Sequence, residues 1–323
     1  MSRSVTQLLQ QFIRGLHNLR PEHYGNVVTI GSFDGVHLGH QTILRQLADK
    51  AREFQVPATV VIFEPQPHEF FSAEQAPARL MRLREKVLAL LQGGADRVCC
   101  LHFNQRMRSL SAAEFVEQVL VAKLGVKHLI IGDDFRFGSG RSGDYEFLME
   151  AGRQYDFGVS DTETFEIGDE RVSSTRIRQE LEQSHFATAA QLLGKPYTVA
   201  GHVGYGQQLA RQWQVPTANV QLRRYRSPLN GVFAVSVTLP DGRVQQGVAN
   251  VGVRPTIGDQ IRPILEVHLL EFSGNLYGQM ITVEFLHKLR EEQKFESLEM
   301  LRQQILRDVE AARHYFAGQA QAH

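Results

Sequence analysis

The sequence is short of cysteine, net charge and long apolar runs. Its only two cysteines, Cys99 and Cys100, are adjacent in a strand-like run, which favours buried reduced thiols over a disulfide framework or a redox site. The 35 Lys and Arg residues balance 35 Asp and Glu residues, so composition points to no nucleic-acid partner. No apolar run could span a bilayer, and the first twenty residues lack a signal-peptide core. We therefore expect a cytoplasmic enzyme without a membrane partner.

The order of the predicted elements divides the 323 residues into two parts of different character. In residues 1–194, strand candidates alternate with amphipathic helices, which is typical of a parallel sheet covered on both faces. Beyond Lys195-Pro196-Tyr197, short strand candidates separated by Gly, Pro and Asp turns predict an antiparallel barrel. Apolar residues three or four apart over residues 298–316 predict one helix that covers this barrel. We therefore expect an α/β domain in residues 1–194 and a β-barrel domain with a C-terminal helix in residues 195–323.

Residues 27–40 hold the most informative pattern in the chain. A β-branched run ends at Gly31, a Gly- and Asp-rich turn follows, and helical spacing begins after His40. A loop that leads from a strand into a helix N-terminus presents free N–H groups to an anion, and Gly39 permits close approach. The positions of His37 and His40 suit two imidazoles that donate to nucleotide phosphates. A solvated loop with two surface histidines is the plain alternative, and a zinc site lacks further ligands.

Two later segments also resemble phosphate-binding devices. Residues 132–144 combine four glycines, three aspartates and two arginines, a composition suited to phosphate and ribose but also found in surface loops. Residues 173–178 place three hydroxyls at a helix start with Arg178 one turn later. Ordinary N-capping explains that second segment equally well when it is taken alone.

In the second part, Thr217 and Asn219 offer two hard oxygen ligands on one side of a strand, as Mg²⁺ prefers. Glu266 lies inside an apolar strand and could act as a general base for an alcohol. From the residues alone, a surface carboxylate is the better interpretation of Glu266. Arg254 could be a phosphate ligand in a turn, and Arg290 could equally be surface charge.

Taken together, the motifs resemble the bacterial bifunctional riboflavin kinase/FMN adenylyltransferase (FAD synthetase) family over nearly the whole chain. The loop with His37 and His40 resembles the signature of the nucleotidylyltransferase superfamily, which has a Rossmann-like domain. The motifs that carry the resemblance are G-x-F-D-G-V-H-x-G-H at 31–40, F-E-P-x-P at 63–67, G-D-D-F-x-F-G-x-G-R-x-G-D at 132–144, S-S-T-x-x-R at 173–178, P-T-A-N at 216–219, G-V-F-A-V at 231–235, N-x-G-x-R-P-T at 250–256, E-V-H at 266–268, L-Y-G at 276–278 and L-R-x-E-x-K-F at 289–295.

The resemblance implies two reactions with ATP, riboflavin, FMN and FAD as substrates or products. A riboflavin kinase in residues 195–323 would use Glu266 as base and hold Mg²⁺ through Thr217 and Asn219. An FMN adenylyltransferase in residues 1–194 would steady phosphates with His37, His40, Ser174 and Arg178. The resemblance places further residues around the substrates: Gly31, Phe33, Asp34, Gly39, Phe63, Pro65, Asp134, Gly138, Arg141, Asp144, Ser173, Thr175, Gly201, Gly206, Arg254 and Arg290.

The chain departs from the family pattern just before P-T-A-N. Where the family has two glycines and a phenylalanine in a loop around the nucleotide phosphates, this sequence has Ala210, Gln214 and Val215. His202 likewise replaces a common arginine. This departure supports one alternative, a monofunctional FMN adenylyltransferase with a degenerate flavin-binding barrel. A second alternative is a non-catalytic flavin carrier, against which the intact His37, His40 and residues 173–178 argue. The sequence does not specify an oligomeric state.

Overall fold

The computed structural model describes residues 4–205, 215–222, 224–255 and 261–321. These residues form two compact units. The first unit comprises the chain up to Pro77 together with Met81–Ser173, and the second comprises Ala78–Leu80 together with the chain from Ser174 onward. The division therefore falls earlier than residues 194 and 195, and the predicted functional boundary at 194/195 stays a prediction.

The first unit is built on a six-stranded, fully parallel sheet in the order β1-β4-β3-β2-β5-β6. Its strands are β1 Phe12–Arg14, β2 Asn26–Ile30, β3 Ala58–Glu64, β4 Arg97–His102, β5 Val126–Ile131 and β6 Gly158–Asp161. The chain leaves central β2 toward β3 and β4 on one side and returns to place β5 on the other. The carboxyl ends of β2 and β5 therefore form a topological switch point, where open α/β sheets bind their ligands.

Helices cover both faces of this sheet, as the alternating pattern predicts. The helices of the first unit are α1 Val5–Leu9, α2 Leu38–Phe54, α3 Pro67–Phe71, α4 Leu83–Gln92, α5 Gln105–Ser109, α6 Ala112–Phe115 and α7 Tyr145–Tyr155. One core cluster joins Leu44 of α2 and Leu90 of α4 to Val60 of β3, while another joins Phe115 and Leu148 to the opposite face. All five residues of β2 are buried, including the polar Asn26 and Thr29, so the central strand is covered on both faces.

Some boundaries in the first unit differ from the sequence prediction. Apolar spacing predicts a helix over residues 79–91, whereas α4 begins at Leu83, because residues 78–80 belong to the second unit. Ser111 followed by Glu114 three residues later predicts a capping box that opens a helix through Leu124. The capping box is present and opens α6, but the helix continues as a π-helix, Val116–Val121. A two-stranded ribbon, β7 Glu166–Ile167 and β8 Glu170–Arg171, precedes Ser173.

The second unit begins with two helices, which are followed by a closed six-stranded barrel. These helices are α8 Ser174–Glu182 and α9 Phe186–Leu193. The sequence predicts a short helix over 186–193 that ends at a glycine, and the left-handed Gly194 does end α9. The barrel order is β10-β13-β12-β11-β14-β9, and every neighbouring pair is antiparallel. Its strands are β9 Thr198–Gly204, β10 Ala218–Val220, β11 Gly231–Thr238, β12 Val244–Pro255, β13 Ile261–Leu269 and β14 Met280–Arg290.

The C-terminal helix α10, Leu298–Gln321, packs on the outside of this barrel. Val309 and Ala312 of α10 form an apolar cluster with Val232 and Ala234 of β11, and strand alternation turns Phe233 to the barrel interior. The predicted fold class is confirmed: a parallel α/β domain is followed by an antiparallel barrel and a C-terminal helix. Within the described ranges, no helix has the length and apolar character needed to cross a membrane.

Candidate functional site

The loop between β2 and α2 brings together the predicted residues of the first unit. His37 is the N-cap of α2, and its Nδ1 accepts a hydrogen bond from the His40 amide at 3.3 Å. The two imidazole rings are stacked with centroids 3.6 Å apart. An imidazole whose Nδ1 accepts carries its proton on Nε2, which leaves Nε2 as the donor. The helix N-terminus and the histidine pair therefore occupy the switch point together.

The loop backbone has an uncommon geometry. Phe33 and Val36 have φ values of 46° and 44°, in the left-handed region that side chains other than glycine seldom adopt. Such a conformation persists only where surrounding contacts enforce it. Two contacts from the chain around α4 do so: the Met81 amide donates to Asp34 Oδ1 at 3.1 Å, and Lys86 Nζ donates to the Ser32 carbonyl at 2.6 Å.

Gly39 and Gly31 are needed for close packing around this loop. A Cβ on Gly39 would lie 3.2 Å from the Val172 carbonyl oxygen and 3.3 Å from the His37 ring. A Cβ on Gly31 would lie 2.9 Å from the Phe33 ring. Both glycines therefore support the loop through the space they leave, as well as through backbone access.

His40 is the electrostatically distinctive residue of the loop. Burial lowers the pKa of His40 well below its ordinary value of 6.5, and nearby His37, Lys86 and Arg171 lower that pKa further. Its Nδ1 is buried and, within the described ranges, has no hydrogen-bond partner. A neutral imidazole at neutral pH can present an N–H to an anion without the repulsion that two stacked imidazolium ions would suffer.

The second predicted loop, residues 132–144, follows β5 and therefore starts at the same sheet edge. The structure gives its members different surroundings. Asp134 is exposed and lies 4.0 Å from Arg171, whereas Arg141 is exposed with a left-handed backbone. Gly138 fits against Ala112. Asp144 caps α7, because its carboxylate accepts the Phe147 amide at 2.9 Å, and its predicted place around the substrates stays a prediction.

An aromatic cluster that the sequence analysis missed lies beside the predicted Phe63 and Pro65. Phe63, at the end of β3, makes an edge-on contact with Phe103, and Phe70 and Phe71 of α3 contact the same ring. The Phe71 side chain is 60% exposed. The pair Phe70-Phe71, three residues after the end of the F-E-P-x-P motif, could have indicated this cluster. Apolar residues in a helix are, however, ordinarily interpreted as part of the core.

The predicted hydroxyl segment straddles the division between the two units, with Ser173 in the first and Ser174 in the second. Ser174 and Thr175 form the first turn of α8, whose Ile177 and Leu181 are buried. Arg178 does not extend freely from the helix: its Nε donates to the Ala78 carbonyl at 2.6 Å.

The barrel places three polar residues side by side. Strand register sets Asn219 of β10 directly opposite Glu266 of β13, and sets Asn250 of β12 opposite the other side of Glu266. Directly opposed residues have Cβ atoms about 4.5–5.5 Å apart and share one face. Asn250 also pairs with Val232, which clusters with α10 outside the barrel, so this row lies on the outer face of the barrel. Asn250 was not among the predicted site residues, because its neighbours lie on distant parts of the chain.

Thr217 and Asn219 fit a hard divalent cation. Both side chains are half-buried, and neither has a hydrogen-bond partner among the residues that the structure describes. Half-buried oxygen atoms without a protein donor suit Mg²⁺, which prefers oxygen ligands and retains water. In the same described ranges, no cluster of three His, Cys, Asp or Glu side chains could hold a metal ion.

The remaining predicted residues of the barrel separate into structural and undescribed positions. Arg290 forms a two-pronged ion pair with Asp308 of α10, at 2.8 Å and 2.7 Å, so it fastens the helix to β14. Gly201 is buried in β9, where a Cβ would press against Val220. Gly206, the departure at residues 210–214 and the Arg254 side chain lie outside the described part of the chain.

Comparison with known proteins identifies two family matches that divide the chain in sequence. The family model of FAD synthetase matches residues 19–176, and the family model of riboflavin kinase matches residues 193–316. The matches together cover most of both structural units.

Similar proteins extend this match over nearly the full length. A bifunctional riboflavin kinase/FMN adenylyltransferase of Pseudomonas fluorescens is 56% identical, covering 96% of this chain and 99% of the relative. Proteins of the same name from Haemophilus influenzae and Escherichia coli K12 are 48% and 47% identical, each covering 95% of this chain and 99% and 98% of the relatives. A solved structure described as a macrolide-efflux protein from Streptococcus pneumoniae has a TM-score of 0.73 and 28% identity, covering 94% of this chain and 99% of the other.

Proposed function

The chain belongs to the bifunctional riboflavin kinase/FMN adenylyltransferase family, and from that premise we propose how its residues divide the two reactions. The protein is a transferase with both activities, and ATP, riboflavin, FMN and FAD fit it as substrates or products. We assign adenylyl transfer to residues 1–194 and riboflavin phosphorylation to residues 195–323. The observation that carries the first assignment is the stacked pair of His37 and His40 at the switch point of the parallel sheet.

In adenylyl transfer, an oxygen of the FMN phosphate attacks the α-phosphorus of ATP, and pyrophosphate leaves. The nucleophile is already an anion, so the protein has to position the phosphates and neutralise their charge. His37 donates through Nε2, His40 contributes a neutral imidazole, and the α2 N-terminus adds its dipole. The phosphate contacts assigned to Ser173, Ser174, Thr175 and Arg178 stay predictions.

The flavin of the same reaction needs a flat apolar surface. The cluster of Phe63, Phe70, Phe71 and Phe103 at the end of β3 supplies one, with Phe71 exposed to solvent. A stacked or edge-on contact between aromatic rings contributes about 0.5–1.5 kcal/mol of binding free energy beyond the burial of apolar surface. Such contacts suit recognition of an isoalloxazine ring.

In riboflavin phosphorylation, the ribityl 5′-hydroxyl attacks the γ-phosphorus of ATP, and ADP leaves. Glu266 accepts the hydroxyl proton, and the strand register supports this role because it sets Glu266 between Asn219, a proposed Mg²⁺ ligand, and Asn250. Thr217 and Asn219 would hold Mg²⁺, which neutralises phosphate charge when bound.

Reciprocal variants of the full-length chain test the division. We expect His37→Ala to lose FMN adenylylation and retain FMN formation from riboflavin, whereas Glu266→Gln should do the reverse. Each reaction is followed by chromatography of riboflavin, FMN and FAD, and the retained activity of each variant serves as its own control for folding. Loss of both activities in either well-folded variant would contradict separate sites. An unchanged kinase activity in Glu266→Gln would contradict the role of Glu266 as base, whereas a wild-type chain that makes no FMN from riboflavin would support the degenerate-barrel alternative.

A further inference from the structure

Lys86 is a buried lysine that is not among the predicted site residues and has no assigned role in either reaction. It lies in α4, its exposed fraction is 1%, and it is among the largest fully buried side chains of the chain. Lysine is almost never buried without a charged or hydrogen-bonding partner, because its ammonium loses the water that stabilises it. Its neighbours Val87, Leu90 and Leu91 belong to the apolar face of the same helix.

The contact of Lys86 is made with the loop that carries the histidine pair. Lys86 Nζ donates to the Ser32 carbonyl oxygen at 2.6 Å, a short charge-assisted hydrogen bond. Ser32 precedes Phe33, whose φ is 46°. Phe33 is the first of the two non-glycine residues in the loop whose backbone is left-handed. Lys86 therefore anchors the loop at the point where its backbone turns out of the strand direction.

Peptide geometry gives this contact a consequence for anion binding. In a trans peptide the C=O and N–H groups point in opposite directions. A Ser32 carbonyl held by Lys86 therefore directs the Phe33 N–H away from α4. No acceptor among the described residues takes that N–H. Consecutive amide groups in such turns form concave anion sites.

The positive charge of Lys86 also favours the binding of an anion at the loop. Lys86 and His37 both contribute to the low pKa of His40, after burial, so the ammonium field reaches the imidazole pair. A buried cation behind the helix N-terminus adds to the positive potential that the α2 dipole already provides for an anion.

We propose that Lys86 is a positioning residue for adenylyl transfer, which holds the Ser32 carbonyl so that the loop amides face the ATP phosphates. The proposal rests on the assignment of adenylyl transfer to the first unit. Lys86 acts through the loop and has no role in the kinase reaction of the barrel.

The test replaces Lys86 by methionine in the full-length chain, which keeps the length of the apolar stem and removes the donor. We expect the KM for ATP in FMN adenylylation to rise about tenfold or more, as for loss of a charged hydrogen bond. The KM for FMN and the riboflavin kinase parameters should stay at the wild-type values. Lys86→Gln, a neutral donor, should give a smaller rise in the same KM.

The matched control is Arg84→Met, on the same helix two residues earlier, where the side chain is exposed. It should leave all Michaelis constants unchanged. A KM does not depend on the fraction of folded enzyme, so a merely structural role of Lys86 would lower the apparent kcat and the melting temperature without raising the KM for ATP.

An unchanged KM for ATP in Lys86→Met overturns the inference while the proposed function stands. If Lys86→Met does not fold, Lys86→Gln decides the question by the same criterion: a higher KM for ATP supports positioning, and an unchanged one overturns it. A wild-type chain that fails to adenylylate FMN overturns the proposed function itself, together with the inference.

Discussion

At the scale of single residues, charge state decides what the histidine pair can do. His37 and His40 are stacked 3.6 Å apart, so both could not carry a proton without strong repulsion. Burial keeps the pKa of His40 well below 6.5, so His40 is a neutral member of the pair at neutral pH. By contrast, burial raises the pKa of the Cys99 thiol to about 12, so that residue is no nucleophile under ordinary conditions.

The low pKa of His40 predicts a pH dependence of stability. Below about pH 6.5 the unfolded chain binds a proton at His40 that the folded chain refuses, so acid favours unfolding. The stabilising contribution is present above that pH and is lost as the pH falls. We expect the melting temperature of the wild type to drop more between about pH 7.5 and about pH 5.5 than that of His40→Gln. Equal drops would show that His40 titrates normally.

The residues of the candidate site could be predicted from the sequence, but several of their hydrogen-bond partners could not. His37, Gly39 and His40 lie three residues or fewer apart, so their joint position at a helix start follows from local geometry. Asp144 illustrates the opposite case. Its carboxylate was predicted to lie around the substrates, and the structure shows that it also caps α7, a contact that the sequence analysis did not anticipate.

At the scale of elements, the start of α2 depends on the space around Gly39. Alanine in a helix is favoured over glycine by about 1 kcal/mol. A Cβ here would, however, crowd the Val172 carbonyl and the His37 ring, and overpacking costs about 1–3 kcal/mol. We expect Gly39→Ala to shift His37 and lower FMN adenylylation at least about tenfold while riboflavin phosphorylation continues.

Gly318→Ala in α10 is the matched control for that helix substitution. Nothing lies within 4 Å of a Cβ at Gly318, so only the helix propensity changes. The control should keep both activities and hold or raise the melting temperature, measured beside Gly39→Ala. Full adenylyltransferase activity in Gly39→Ala would show that the close packing is not required.

The ion pair of Arg290 and Asp308 joins strand β14 to helix α10. Their side chains are 17% and 8% exposed, so removal of one partner leaves a largely buried charge. We expect Arg290→Met to lower the free energy of unfolding by about 3 kcal/mol, and the double variant Arg290→Met/Asp308→Leu to recover part of that loss. Denaturant unfolding measures all three chains.

The exposed ion pair of Arg313 and Glu310 on α10 is the control for this loss of stability. Such surface pairs contribute less than about 1 kcal/mol to the free energy of unfolding. Arg290 was predicted to contact the nucleotide. A variant with unchanged stability and a raised KM for ATP in the kinase reaction would favour that prediction over the fastening role.

The boundaries of helices and strands show which features a local sequence pattern can predict. Helix α9 and its terminating Gly194 were predicted correctly, because an apolar stripe followed by a left-handed glycine is a local signal. The short edge strands β1 and β6 were missed, since three or four residues carry too little periodicity. The start of α4 was placed too early because Leu80 fits the helical spacing but belongs to the segment that joins the second unit.

At the scale of the whole molecule, alternation of strands and helices was enough to predict both architectures, while strand order was not readable. The row of Asn219, Glu266 and Asn250 joins three strands that are far apart in sequence. Its existence depends on register between distant strands, which no local window contains. The sequence alone favoured a surface carboxylate at Glu266, and the register supplies the reason to propose it as the base.

The most direct test of the account follows both reactions in one sample. The purified full-length chain is incubated with riboflavin, ATP and Mg²⁺, and riboflavin, FMN and FAD are separated by chromatography over time. The account predicts that FMN appears first and that FAD follows as riboflavin disappears. Riboflavin that remains untouched while supplied FMN is converted to FAD would contradict the kinase assignment, and no conversion of either flavin would contradict the account as a whole.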